Sequence, residues 1–318
     1  MPAPRPTRIG ILVLGIALIS LPARARAQQA PHFTPMEVVD GKPYVQVTIN
    51  GQGPYRFLVD TGTGAQALVT TELADVLHLP VEGRAHLVDP SGQGRQHVEM
   101  VRLDSLTVAG VRFTQVRALR HPLAGEDSTC QGLLGFALFR QHLLTLDYPN
   151  RRLTLATGRL DPDGEHAVLP FRMPAGVPIV PVRVGGKQAE AQVDSGGVGL
   201  SLSQELAARV QFSVGPEVFA KGESLSTRFE LQAGKLKGDV QLGRYRFQQP
   251  LVEINPAFPL VNLGAAVLVN FTATFDQEHQ LMRLDARKKT FHINSLPTPM
   301  QLRNAPQPKE NPALVPVG

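Results

Sequence analysis

The sequence predicts an all-β chain made of two copies of one β-rich unit, with a few short helices. Three observations lead there. Glycine (29) and proline (27) are abundant and tryptophan is absent. They punctuate short Val, Leu and Phe runs, a pattern of strands and turns rather than of long helices. Apolar and polar residues alternate before turn glycines, as in Val45-Gln-Val-Thr-Ile-Asn-Gly51 and Val180-Pro-Val-Arg-Val-Gly-Gly186. The third observation is that these two stretches open a repeat that runs through most of the chain.

The repeat can be followed element by element. Each alternating strand and glycine turn leads into a second apolar strand ending in Asp, at Phe57-Leu-Val-Asp-Thr-Gly62 and Ala191-Gln-Val-Asp-Ser-Gly196. A short capped helix is expected after each triplet, because Thr or Ser precedes Glu-Leu-Ala in Leu68–Ala74 and Leu202–Ala207. An apolar segment closing on glycine follows, Leu133-Leu134-Gly135 and Asn262-Leu263-Gly264. Asp147 and Asp276 stand at the same distance beyond those glycines, and Leu155 and Leu284 close a strand in both copies.

The repeat divides the chain into five parts. Residues 1–27 read as a secretory signal peptide. Arg5 and Arg8 precede the apolar stretch Ile9–Leu21, which Pro22 breaks before the small-x-small site Ala25-Arg26-Ala27. Residues 28–157 form the first unit, 158–165 a Gly- and Pro-containing linker, 166–295 the second unit, and 296–318 a Pro-rich mobile tail. Cleavage of the signal implies a periplasmic or secreted protein with no stable membrane insertion.

Charge and cysteine content narrow the function. The net charge of +5 owes four arginines to residues 1–27, which leaves 28 basic against 27 acidic residues beyond them. No nucleic-acid partner is implied. Cys130 is the only cysteine, so no internal disulfide is available, and its apolar neighbours suggest a structural role. The nine histidines show no His-Glu-x-x-His pattern, and no Gly-x-Ser-x-Gly is present. No metal and no cofactor are expected.

The duplicated Asp-Thr-Gly and Asp-Ser-Gly triplets, with their matched apolar-Gly segments, resemble those of aspartic proteases of the pepsin and retropepsin kind. The nearest in layout are the bacterial exported retropepsin-like enzymes. The resemblance covers about residues 36–294. It implies a two-lobed, pepsin-like fold in which each lobe contributes one catalytic aspartate, Asp60 and Asp194. Thr61 and Ser195 would hydrogen-bond across to the opposite loop. Gly62 and Gly196 would let the backbone turn tightly beside the carboxylates.

The chemistry accounts for the pair. Two carboxylates about 3 Å apart cannot both ionise easily, so they share a proton. One then acts as general base on water and the other as general acid. The implied function is hydrolysis of a peptide or protein substrate by a monomer, since one chain carries both half-sites. The alternative is a non-catalytic peptide-binding protein on the same fold.

The copies differ after their triplets. Thr63 can donate to the outer oxygen of Asp60, whereas Gly197 has no side chain to do the same for Asp194. A missing donor to the ionised form raises a carboxyl pKa, so an optimum in the weakly acidic to near-neutral range is expected. A flap over the cleft is expected at the turn-rich Asp89–Gly94, using Ser91, Gly92, Gln93 and Gly94, with Lys221–Ser224 as its counterpart in the second copy.

Overall fold

The computed structural model describes residues 30–88, 95–123, 128–164, 167–223 and 228–296. The proposed signal peptide, the four residues proposed for the flap and almost all of the proposed tail lie outside that set. Among the described residues the fold is all-β, arranged in three sheets with only short helices, of which Thr71–Val76 is the longest. No described helix is long and apolar enough to cross a membrane.

Two of the sheets share a strand arrangement around their triplets. An eight-stranded sheet is formed by the first unit and a ten-stranded sheet by the second. In each, the strand ending at the triplet, Gln52–Asp60 or Lys187–Val193, lies parallel to the apolar segment that closes on glycine, Gly132–Gly135 or Val261–Leu263. The chain leaves the sheet at the aspartate and re-enters one slot further on, as Ala67–Val69 or Leu200–Leu202. The parallel segment fills the vacated slot. Its backbone braces the loop on both sides, with Phe136 N donating to Thr63 O (2.8 Å) and Ala265 N to Gly197 O (2.9 Å).

The short helices start where side-chain capping allows. Thr70 Oγ1 accepts from Leu73 N and Ser203 Oγ from Leu206 N, both at 3.2 Å. Each cap satisfies an amide that the first helical turn leaves without a partner. The Thr/Ser before Glu-Leu-Ala therefore has the same local function in both copies.

A third sheet, of six strands, joins the units. Leu143–Asp147 from the first pairs antiparallel with Thr272–Asp276 from the second at the centre. Thr145 and Thr274 face each other there, their hydroxyls 3.0 Å apart. The Asp at the end of each central strand ties distant segments together. Asp147 accepts from Asn150 and Thr272, and Asp276 accepts from Leu160 N in the segment linking the units. Leu160 is buried, so this expected linker is anchored to the second unit rather than free of it.

One apolar core runs through both units and under the joining sheet. Phe275 sits where they meet, fully buried, its ring 5.4 Å from that of Phe136. Phe275→Ala should therefore cost about 3–5 kcal/mol of stability, measured by urea unfolding, because the rigid sheets on either side cannot close the cavity.

Candidate active site

Two loops meet at the junction of the units, and their hydrogen bonds are reciprocal. Thr61 Oγ1 donates to Val193 O (2.8 Å) and accepts from Ser195 N (3.0 Å). Ser195 Oγ donates to Val59 O (2.7 Å) and accepts from Thr61 N (3.0 Å). Both side chains are completely buried. A hydroxyl is required at each position, since only a group that donates and accepts at once satisfies a carbonyl and an amide of the opposite loop.

This exchange brings the aspartates together. A methyl group at Gly62 would come within 2.5 Å of Asp194 Oδ1, and one at Gly196 within 2.6 Å of Asp60 Cγ. Each carboxylate thus rests against the glycine of the other triplet, and no larger residue fits at either place. Here the glycine requirement comes from the opposite unit's carboxylate.

Local donors hold each carboxylate. Asp60 Oδ1 accepts from Gly62 N (2.8 Å) and Oδ2 from Thr63 Oγ1 (2.6 Å). Asp194 Oδ1 accepts from Gly196 N (3.0 Å) and Gly197 N (2.9 Å). The outer oxygen of Asp194 does have a side-chain donor, contrary to the sequence expectation: Asn262 Nδ2 lies 2.9 Å from Oδ2. Asn262 occupies the place of Leu133 in the first copy. A methyl group at Gly197 would approach its Nδ2 to 2.6 Å. The copies thus use alternative pairs, Thr63 with Leu133 and Gly197 with Asn262. The stated reason for a less acidic optimum is thereby removed.

Sequence reasoning missed three further polar residues near the site. Gln192 precedes Asp194 by two positions, and its Nε2 donates to Gly62 O at 3.4 Å. Tyr148 is buried, and its hydroxyl has no hydrogen-bond partner among the described residues. Burial, and then the negative charge of Asp194 and of Asp60, push this phenol well above its ordinary value, so it stays protonated. Glu253 accepts from Ser201 Oγ (2.8 Å) beside Gly199. Asn262 and Glu253 carried a readable signal: they are polar where the first copy has leucine.

The hairpins expected to carry flaps are present as far as they are described. Val81–Val88 pairs with Arg95–Val108, and Phe212–Glu223 with Arg228–Leu236. Ser91, Gly92, Gln93 and Gly94 lie outside the described residues, as does Ser224. Cys130 is buried in a small apolar cluster with Tyr44, Leu58, Leu68 and Leu133. Among the described residues, no group of three or more His, Cys, Asp or Glu is placed to hold a metal ion.

Glu253 gives a stability test of the electrostatics. Burial raises its carboxyl above the ordinary value of 4.5, and the Ser201 hydrogen bond only partly opposes this. A raised carboxyl penalises the fold when ionised, so the penalty is absent at low pH and grows as pH rises above 4.5. Glu253→Gln should raise the melting temperature at pH 7 and leave it nearly unchanged at pH 4, as followed by thermal unfolding.

Residues 45–138 match the family model described as aspartyl protease, a span that includes Asp60, Thr61, Gly62, Thr63 and the Leu133-Leu134-Gly135 segment. No curated protein matches the chain. The match gives protease-type activity a basis at the level of that family.

Proposed function

We propose that this chain is an aspartic endopeptidase in which Asp60 and Asp194 jointly activate one water molecule. The observation that carries the reading is the reciprocal seating of each carboxylate against the other triplet's glycine. Two carboxylates so placed share a proton and titrate as a pair. The ionised member takes a proton from water as its oxygen attacks the peptide carbonyl, and the protonated member donates to the carbonyl oxygen. Collapse of the tetrahedral species breaks the C–N bond, the amine leaves with a proton, and the pair returns to its singly protonated state.

Thr61 and Ser195 act as positioning residues, because they fix both loops without touching substrate. Thr63 and Asn262 hold the outer carboxylate oxygens. The non-catalytic alternative drew its support from Gly197 as a sign of decay, and the Asn262 hydrogen bond withdraws that support. The remaining expectations belong to the same proposal: an exported, periplasmic or secreted enzyme, active as a monomer, acting on peptides or proteins.

The test is cleavage of a mixed peptide library by the chain lacking residues 1–27, read by mass spectrometry between pH 3 and 8. Cleavage should be blocked by a statine-type mimic and fall by ~10²–10⁴-fold in Asp60→Asn and in Asp194→Asn. Binding without cleavage at every pH would overturn the reading.

The asymmetry between the copies makes a separate prediction. Asn262→Leu removes the side-chain donor that holds Asp194 Oδ2, so kcat/KM should fall by about tenfold while the fold is kept. An unchanged kcat/KM in this variant would show that Asn262 does not hold the pair.

A further inference from the structure

Strand register determines which side chains share a face with the carboxylates. Residues two apart on a strand point to the same side, so Leu58 shares the face of Asp60 and Gln192 that of Asp194. Across the first unit's sheet, Leu58 lies beside Tyr44 and Leu133, Leu133 beside Leu68, and Leu68 beside Leu119. Across the second, Gln192 lies beside Ile179 and Asn262, Asn262 beside Ser201, and Ser201 beside Glu253. The registers match position by position, but the chemistry does not. One row is apolar throughout, and the other, past Ile179, is polar from Gln192 through Asn262 and Ser201 to Glu253.

Exposure does not explain the difference. Asn262 (5% exposed) and Ser201 (4%) are as buried as their counterparts Leu133 (7%) and Leu68 (4%). Polar groups at that depth cost stability unless they are paired, and this row is incompletely paired. Asn262 Oδ1 is buried with no donor. Among the described residues, Glu253 has only the Ser201 hydroxyl as donor and no basic partner. Gly199 leaves room for its carboxylate: a methyl group there would come within 2.5 Å of Glu253 Oε1. In the first copy the register puts Gln66 at that position, its Oε1 accepting from Arg117 N.

What the row lacks is donors and a positive charge. Glu253 lies two strands from Asn262, roughly 10 Å at ~4.8 Å per strand, a span suited to a long side chain. We propose that Glu253, with Gln192, Asn262 and Ser201, forms a subsite for a Lys or Arg side chain flanking the scissile bond, and that the leucine row of the first unit takes an apolar residue on the other flank. This rests on the peptidase reading above. The burial of Glu253 adds to the argument, since a desolvated carboxylate gains most from a cation.

The experiment uses matched peptides with Leu on one side of the scissile bond and Lys, Leu or Glu on the other, in both orders. The wild-type chain lacking residues 1–27 should cleave the Lys peptide, in one order, at least tenfold faster in kcat/KM than the Leu and Glu peptides. Glu253→Gln should lower the Lys/Leu ratio about tenfold. Asp60→Asn, which keeps the subsite and loses the chemistry, should bind the Lys peptide in preference to the Glu peptide. Cleavage with no Lys preference in either order, or a preference that survives Glu253→Gln, would overturn the subsite and leave the peptidase reading standing. Preferential binding of the Lys peptide by Asp60→Asn, with no cleavage by the wild-type chain, would support the subsite and overturn the peptidase reading. The wild-type ratio alone decides the matter if Glu253→Gln does not fold.

Discussion

The exchange of hydrogen bonds between Thr61 and Ser195 is the constraint on which the site depends. Four bonds cross between the loops, each made by a buried hydroxyl with a main-chain group of the other unit. Leaving such a group buried without its partner costs about 1–3 kcal/mol, so the loops hold together or lose several such terms at once. Their positions set the positions of the carboxylates, because Asp60 and Asp194 immediately precede the clasped residues. The glycines follow from the same geometry, since each faces the other unit's carboxylate. The six-stranded sheet beneath aligns the loops, and the clasp sets their final separation.

The two units share a backbone plan but differ in chemistry beside the aspartates. Around Asp60 the outer donor is a hydroxyl three residues on, and the neighbouring strand supplies leucine. Around Asp194 the neighbouring strand supplies the donor and the loop supplies glycine. Either pair satisfies an ionised carboxylate. The polar choice extends beyond the aspartate to Ser201 and Glu253, and Glu253 is held at a cost in stability above its ordinary pKa.

The apolar strands leading into the triplets and the capped helices were legible in the sequence because they are local. A turn glycine, a capping Ser or Thr and an apolar strand each act within a few residues. Thr63 was legible as the donor to Asp60 for the same reason. Asn262 was not, because it reaches Asp194 from 68 residues away. Its signal was present as a polar residue in a slot that the first copy fills with Leu133. Tyr148 gave no such signal, since an aromatic residue after an apolar strand reads as core. The pairing that joins the units, Thr145 with Thr274, spans 129 residues and follows from no local pattern.

The central claim is that the clasp delivers two carboxylates to one water. A crystal structure of the chain lacking residues 1–27, with a statine-type mimic bound, measures it most directly. The account predicts that the hydroxyl of the mimic lies between Asp60 and Asp194, within hydrogen-bond range of both, with the carboxylates about 3 Å apart. A hydroxyl bound by one carboxylate alone, with the other turned away or separated by an intervening water, would contradict it.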